Sequence, residues 1–320
     1  MAIFNRLKRL RSENASGYSN NSNDTGGRFV NKNGKANVLK RGAPILSRYS
    51  WYHTLLEMKL GKFLLFIFGV YIVLNLFFAG LYYLIGIEHL EGVHRGSAFK
   101  DFTEVFFFSA QTFTTVGYGR ISPNGFLANS VSTFEAFLGL LSFAIATGLF
   151  YGRFARPQTF LKFSKNALIA PYLNGKALMF RIAPFKNNNL SELEVKVTMA
   201  ITTNENGQLR DKFYVLDLEM NRINAMALSW TIVHPITKDS PLDGFTKEDI
   251  ANTDIEIIIF IKGFDEVFST QVVSRTSYIS EEIIWGAKFK MMYHPNHDKS
   301  KTILSLNKIN DFEKVDLTMN

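Results

Sequence analysis

The sequence has 320 residues, of which 47% are hydrophobic, with thirty phenylalanines and no cysteine. The lack of cysteine excludes disulfides, thiolate metal sites and cysteine nucleophiles. A formal net charge of +8 suits either nucleic acid or an anionic membrane surface, so the positions of the charges must decide between them.

The N-terminal segment, residues 1–43, offers little to a folded core. Its first residues, MAIFNRLKRLR, alternate basic and apolar residues and lack the continuous apolar core of a cleaved signal. From Ser12 to Asn37 the chain is rich in Asn, Ser, Gly and Lys. We expect this segment to be largely disordered, or ordered only by docking on something else.

Aromatic, apolar and polar residues mix from Ser47 to Met58. This pattern suits a helix in the membrane interface, with Trp51 and Tyr52 at headgroup depth. An ordinary soluble amphipathic helix is the alternative.

Two apolar runs are long enough to cross a membrane. Phe63 to Gly86 contains no charged residue, and Leu127 to Tyr151 contains one, Glu135. About 20 helical residues cross a hydrocarbon core, so both runs predict transmembrane helices. An ionisable group within a span normally faces protein interior or water.

Basic residues flank both spans on their outer sides, with Glu57 the only acid among them. By the positive-inside rule both termini are cytoplasmic, in a cell membrane that the chain crosses twice. Membrane topology therefore accounts for most of the +8, and nucleic acid need not be invoked. The flanking cations are Lys40, Arg41, Arg48, Lys59, Lys62, Arg153, Arg156, Lys162 and Lys165.

A shorter apolar piece, Phe102 to Phe113, lies between the spans and is followed by the glycine-containing sequence TTVGYGR. We interpret it as a re-entrant element, with a pore helix over roughly Asp101 to Phe113 and an extended return. Non-helical backbone at membrane depth is tolerated only inside protein or along a water-filled path. One hairpin cannot wall such a path, so the pattern predicts a symmetric oligomer.

Glycines at 117 and 119 permit the unusual dihedrals of a chain whose carbonyl oxygens point at an axis. Rings of such oxygens, with the Thr115 hydroxyl below, replace the hydration shell of potassium. Val116 and Tyr118 are then expected to pack behind the filter. The sequence TTVGYG resembles the potassium-channel signature, in which such a filter binds K⁺.

Other segments narrow the resemblance to inward-rectifier potassium channels, most like the prokaryotic members. They cover nearly everything after residue 28, and the family implies a homotetramer with an immunoglobulin-like cytoplasmic domain. Two spans without an arginine-studded helix exclude a voltage sensor. The segments are RFVNKNGKANV, GRFARP, FSKNALIAPYLNGKALMFRIAPF, TIVHPITKDSPL and SRTSYISEEIIWGAKF.

The residues themselves indicate the same fold for the second half. Ser191 to Ile201 alternates apolar and polar residues, as a half-buried strand does, and similar pieces recur between turn-rich stretches. An antiparallel β-sandwich over 158–320 follows, after a membrane region over 44–157. No GxGxxG follows a strand, so a nucleotide-binding Rossmann domain is not expected.

The resemblance implies roles for single residues around the filter. Thr115, Val116, Gly117 and Tyr118 bind K⁺ and Gly119 completes the filter, with support from Thr114 and Gln111. Many relatives have glutamate at the position of Gln111, paired with an arginine past GYG. Gln111 is neutral here, so that ion pair does not carry over to Arg120. Gln111 either hydrogen-bonds behind the filter or simply packs.

Phe143 aligns with the cavity position where strong rectifiers have an acid that binds magnesium or polyamines. Phenylalanine has no charge for this, so we expect weak rectification from this position. Glu135 lies two turns earlier, about 80° away on a helical wheel. It either edges the cavity or lies behind the filter near the pore helix, and we favour the second position.

Tyr151 aligns with the residue at the bundle crossing, where four rings close the pore; an interfacial tyrosine is the alternative. Gly148 or Gly139 supplies a hinge, unless either serves only close packing. Basic residues near the inner membrane surface suit anionic lipid or phosphoinositide, with topology alone as the alternative. These are Arg48, Arg153, Arg156, Lys162 and Lys165.

Together these patterns predict a tetrameric, inward-rectifier-type potassium channel, gated by its cytoplasmic domain and by anionic lipid. We do not expect an enzyme, because the sequence offers no nucleophile, metal or phosphate-loop arrangement, and we expect no cofactor, with potassium as the transported ion. A non-conducting, membrane-anchored sensor or lipid-binding protein is the alternative. The intact TTVGYG argues against it, because a scaffold would not need those glycines.

Overall fold

A computed structural model of the chain describes residues 17, 27–42, 44, 50–186, 190–205 and 208–317. These residues form two compact units, one within 41–156 and one that joins 157–317 to the described residues before 41. Arg48, predicted to bind lipid, lies outside the described residues. We call the two parts the membrane unit and the β unit.

Among its described residues, the membrane unit has four α-helices, one short 3-10 helix and a two-stranded sheet. Ser50 and Ser97 cap the first and third α-helices, each accepting a main-chain N–H three residues on. The elements are α1 Trp51–Glu57, α2 Leu60–Ile85, β1 Leu90–Glu91, α3 Ala98–Phe113, β2 Ser122–Pro123 and α4 Phe126–Phe154.

Helices α2 and α4 have 26 and 29 residues and are apolar enough to cross a membrane. At 1.5 Å per residue α2 is about 39 Å long. Large apolar side chains are exposed along both helices, among them Leu65, Phe68 and Leu84 on α2. Exposed apolar surface of this extent suits lipid or further protein rather than water.

The predicted elements of this unit are present with shifted ends. The spans start three residues and one residue earlier than expected, and α3 begins at Ala98 rather than near Asp101 because Ser97 provides the cap. Of the predicted interfacial helix, Trp51 to Glu57 is helical among the described residues.

The β unit contains fourteen strands among its described residues, together with α5 Lys247–Asn252. Thr246 caps α5 through a reciprocal pair of bonds with Asp249. The strands are β3 Leu161–Phe163, β4 Ala167–Tyr172, β5 Gly175–Pro184, β6 Leu190–Glu205, β7 Gln208–Leu216, β8 Arg222–Ala225, β9 Trp230–Pro235, β10 Ile255–Asp265, β11 Thr270–Ile279, β12 Ile283–Trp285, β13 Ala287–Phe289, β14 Tyr293–Pro295, β15 Thr302–Leu304 and β16 Phe312–Lys314.

Two five-stranded sheets form the body of the β unit. One has the order β11-β10-β6-β7, with β8 also on β6; the other has the order β12-β4-β5-β3, with β9 also on β5. Apolar side chains from both sheets form one buried cluster, including Phe180 and Ile169 from one and Met199 and Ile257 from the other. The prediction of antiparallel pairing fails at one place, because β12 runs parallel to β4.

The chain before the membrane unit docks on the β unit from Arg28 to Asn37. The carboxylate of Glu256 on β10 accepts the main-chain N–H groups of Phe29 at 2.5 Å and Val30 at 3.0 Å. Phe29 and Val30 pack with Phe213 and Ile258 on the outer face of the sheet. Burial raises the pKa of Glu256, and the two N–H donors oppose that rise.

Candidate functional site

The segment after α3 has the backbone expected of a strained, glycine-dependent loop. Thr115, Gly117 and Gly119 have φ values of 58°, 52° and 79°. A threonine with positive φ is uncommon, whereas glycine adopts this region without steric cost. Alternate residues therefore share one unusual backbone conformation.

Main-chain hydrogen bonds tie this segment to the carboxyl end of α3. The N–H groups of Val116 and Gly117 donate to the carbonyl oxygen of Gln111 at 2.9 and 3.3 Å. The Thr114 hydroxyl donates to the Ala110 carbonyl at 2.7 Å. The Ala110 carbonyl also accepts the Thr114 main-chain N–H at 3.2 Å, whereas the Gln111 carbonyl accepts no N–H from the helix and is satisfied by the loop. These bonds set the position of the loop relative to α3. Gln111 takes part here through its main-chain oxygen.

Val116 and Tyr118 lie with 51% and 78% of their surface exposed in the single chain. Packing of these side chains behind a filter would therefore have to involve other chains. Phe143, predicted to face the cavity, is likewise 72% exposed. Tyr151, predicted to form the gate, is 75% exposed.

A buried polar network lies beside α3, where α2, α3 and α4 meet. Glu135 is fully buried; its carboxylate accepts the Tyr82 hydroxyl at 2.6 Å and the Ser109 hydroxyl at 2.5 Å. The Ser109 oxygen also lies 3.2 Å from Oδ1 of Asn75. Of the two positions considered for Glu135, the structure places it against the pore helix.

Glu135 is among the site residues predicted from the sequence, whereas its partners Asn75, Tyr82 and Ser109 are not. Asn75 and Tyr82 are seven residues apart and so lie on one face of α2. Ser109 is a small polar residue directly after three phenylalanines. These were the available signals, and each is ordinary by itself.

Arg120 forms an ion pair with Glu104 of α3. The carboxylate lies near the middle of α3 and the guanidinium directly after the glycine-rich loop, so the pair links the helix to the chain that leaves the loop. The side chains are 48% and 18% exposed. Sequence analysis considered only Gln111 as a partner for Arg120 and missed Glu104.

The two glycines considered as hinges of α4 have different surroundings. A Cβ atom on Gly139 would lie 1.8 Å from the carbonyl oxygen of Phe113, whereas one on Gly148 would meet nothing within 4 Å in this chain. Gly139 thus allows α4 to touch the backbone at the end of α3. A close contact explains this glycine without a hinge.

The basic residues predicted to bind lipid are distributed over both units. Arg156 is 47% exposed and lies 3.4 Å from Glu57, and Arg153 contacts main-chain oxygens of the membrane unit. In the β unit, the Lys162 ammonium is 3.4 Å from the Leu306 carbonyl, and the Lys165 carbonyl accepts the Lys32 ammonium at 3.1 Å.

Two family models match the chain. Residues 161–320 match "Inward rectifier potassium channel C-terminal domain", and residues 70–156 match "Ion channel". Together they cover the glycine-rich loop, α4 and nearly all of the β unit.

Curated relatives extend the likeness across most of the chain. The inward rectifier potassium channel Kirbac3.1 of Paramagnetospirillum magnetotacticum is 35% identical over 267 residues, covering 82% of this chain and 88% of its own length. The ATP-sensitive inward rectifier potassium channel 12 of Gallus gallus is 29% identical and the inward rectifier potassium channel 18 of Homo sapiens 27%. This chain spans 66% of the length of each of these two.

Proposed function

The chain belongs to the inward rectifier potassium channel family, and on this premise we propose that Thr115 to Gly119 of four identical chains form its potassium filter. The protein is a membrane potassium channel rather than an enzyme, with potassium as the transported ion. The remaining points concern which residues carry conduction and its control.

The observation that carries the filter proposal is the backbone of the loop. Positive φ at Thr115, Gly117 and Gly119 suits a chain whose carbonyl oxygens line an axis, and the bonds to the Gln111 carbonyl hold its inner end. Carbonyl oxygens so arranged replace the water around a dehydrated K⁺. The Thr115, Val116, Gly117 and Tyr118 positions are the proposed ion sites, with Gly119 at the outer end.

A homotetramer supplies packing partners for side chains that a single chain leaves exposed. Val116, Tyr118, Phe143 and Tyr151 are all more than half exposed in the single chain. In a four-fold assembly the first two pack between neighbouring pore loops, and the last two face the axis. Support for the loop comes from Thr114, Gln111 and the buried Glu135 network.

Rectification and gating are assigned to α4. Phe143 offers no charge to internal cations, so weak rectification is expected from the cavity. Four Tyr151 rings close the pore by steric blockage and dewetting, with Gly148 as the bend. The β unit and anionic lipid, including phosphoinositide, act on this gate. Arg156, Lys162 and Lys165 carry the charge for lipid binding, together with Arg48.

Potassium flux into liposomes tests the proposed filter. Wild-type protein is expected to pass potassium or rubidium but not sodium, with block by barium. Gly117→Ala should reduce this flux by at least about a hundredfold, because the added Cβ is disfavoured at positive φ and the ion sites depend on that backbone.

Gly69→Ala is the matched control, since a Cβ at Gly69 meets nothing within 4 Å and its φ lies outside the left-handed region. Equal potassium and sodium flux in wild type would contradict the filter assignment. A folded tetramer without any flux would support the non-conducting sensor instead.

A further inference from the structure

The carboxyl end of α1 is closed by a side chain from α4. The Arg153 guanidinium donates to the carbonyl oxygens of Leu55 at 2.5 Å, Leu56 at 3.1 Å and Met58 at 2.6 Å. The last carbonyls of a helix have no partner within it, and a cation there also complements the negative end of the helix dipole. Arg153 therefore acts as a side-chain cap for a helix nearly one hundred residues away.

The same guanidinium packs on an aromatic pair. Its central carbon lies 4.6 Å from the ring centre of Phe63, which is fully buried and makes an edge contact at 5.1 Å with Phe150. Phe63 belongs to α2, and Phe150 to the last turns of α4. Three helices thus meet at one residue.

Gly152 lets side chains of α1 approach the backbone of α4 at this place. A Cβ there would lie 3.1 Å from the Tyr52 hydroxyl and 3.3 Å from a methyl group of Leu56. Gly152 and Arg153 directly follow Tyr151, the proposed gate. The residues next to the gate are consequently those that contact the interfacial helix.

Arg153 and Arg156 differ in how many N–H donors remain available to a lipid phosphate. Three of the five N–H donors of a guanidinium are committed to carbonyls at Arg153. Arg156 is 47% exposed and has a single 3.4 Å contact with Glu57. Arg156 is therefore more accessible to a lipid phosphate than Arg153 is.

We propose that Arg153 is a positioning residue that joins α1 to the end of α4 and transmits displacement of α1 to the gate, rather than a lipid ligand. The inference revises one part of the lipid site and rests on the proposed function only for the gate. We call the contact of Arg153 with the carbonyl oxygens of Leu55, Leu56 and Met58 the joint. The joint lies within the membrane unit and does not require conduction.

Lysine at 153 separates the two roles. A lysine keeps the positive charge that a lipid headgroup would attract. Its single ammonium cannot reproduce the planar fork that reaches carbonyls of three residues and lies flat on Phe63. A lipid ligand should therefore tolerate Arg153→Lys, and a joint should not.

A spin label on α1 measures the joint directly. Because the chain has no cysteine, His53→Cys places one nitroxide per chain on an exposed residue of α1 in the full-length channel in liposomes. Arg153→Lys and Arg153→Gln should both increase label mobility. Lys62→Gln, which removes an exposed charge at the start of α2, should leave the mobility as in wild type.

Two further readouts complete the test. Rubidium flux of Arg153→Lys should differ from wild type by at least about fivefold, the lower end of usual coupling between sites. Binding of a short-chain phosphoinositide to Arg153→Gln should stay near the wild-type value, whereas loss of one lipid contact would weaken it about fivefold.

The outcomes separate the alternatives. Unchanged label mobility in Arg153→Lys would overturn the joint, and changed mobility with wild-type flux would overturn its action on the gate. Weaker lipid binding by Arg153→Gln with normal mobility would restore the lipid role. If wild type conducts nothing, the proposed function fails, while mobility and lipid binding still report on Arg153.

Discussion

The two units of this chain differ in where their apolar side chains lie. In the β unit, side chains from both sheets form a continuous buried core, with Phe180, Tyr214 and Tyr278 among the largest fully buried members. In the membrane unit, the loop and α4 leave Tyr118 and Phe143 largely exposed, while Glu135 is fully buried.

This difference shows which unit is complete as a single chain. The β unit buries its apolar surface against itself, as a water-soluble domain does. The membrane unit does the reverse, because its apolar surface is available to lipid and to other copies. Within one chain it is stabilised by a smaller apolar cluster around Phe78, Val105 and Phe108, by close backbone contacts and by a small number of buried polar bonds.

Among changes outside the filter loop, the largest expected effect follows from the closest of those contacts. Gly139→Ala places a methyl group 1.8 Å from the Phe113 carbonyl, a main-chain atom that cannot rotate away. Overpacking of this kind costs about 1–3 kcal/mol or more, and here it displaces the end of the pore helix. We expect flux to fall at least tenfold, about 1.4 kcal/mol in equivalent free energy, and the tetramer to melt earlier in detergent.

Gly69→Ala, whose new methyl group has open space, should match wild type in both measurements. If Gly139→Ala also matches wild type, α4 and α3 are not in fixed contact. Gly139 would then be free to serve as a hinge after all.

The buried polar network gives the next largest effect. Glu135→Leu leaves the Tyr82 hydroxyl without its acceptor, at about 1–3 kcal/mol, and leaves the Ser109 hydroxyl only its longer 3.2 Å contacts with Asn75. Glu135→Gln keeps an acceptor oxygen and should cost less. Thermal unfolding of the purified channel measures both variants.

A double-mutant cycle with Ser109→Ala tests whether the contact itself is responsible. Glu135→Leu with Ser109→Ala should cost less than the sum of the single changes, since the partners lose the same bond. Ser130→Ala is the control, because that hydroxyl bonds only locally to the Phe126 carbonyl. Strict additivity of Glu135 and Ser109 would show that their contact contributes nothing.

The same contrast explains how much of the fold and of the site could be predicted from the sequence. Long apolar runs predicted both spans, and period-two alternation predicted β6, because hydrophobicity and one-sided burial are local properties of the sequence. Resemblance predicted the filter and the family. The lipid-binding role predicted for Arg153 followed from its charge alone, since its carbonyl partners at 55, 56 and 58 become neighbours only in the folded chain.

Partners distant along the chain were the main omission. Glu104 and Arg120 are 16 residues apart, and Asn75 meets Ser109 across 34. The parallel pairing of β12 with β4 joins residues more than one hundred positions apart. The local periodicity of hydrophobic residues does not predict such pairs, because they form only through tertiary packing.

The smallest predicted effect concerns a buried titratable group in the β unit. His234 is 3% exposed; its Nδ1 lies 2.5 Å from the Asp217 carbonyl and its Nε2 2.8 Å from the Ser240 hydroxyl. A carbonyl only accepts, so Nδ1 carries the proton and Nε2 accepts from Ser240. Burial lowers the pKa of His234 below its usual value near 6.5.

A lowered histidine pKa means that the unfolded state binds the proton more readily. The stability contribution is therefore present above about pH 6.5 and is lost as the pH falls through the lower, folded-state pKa, at up to about 1.4 kcal/mol for each pH unit between the two. Hydrogen exchange over β9 in the intact channel, corrected for intrinsic rates, should lose protection between pH 7.5 and 5.5. His234→Gln should be less protected at pH 7.5 but lack this pH dependence, whereas exposed His297→Gln should retain it. If wild type and His234→Gln lose protection equally on acidification, the pH sensitivity belongs to another group. The β unit would then tolerate a protonated, charged His234 in a core that is expected to reject it.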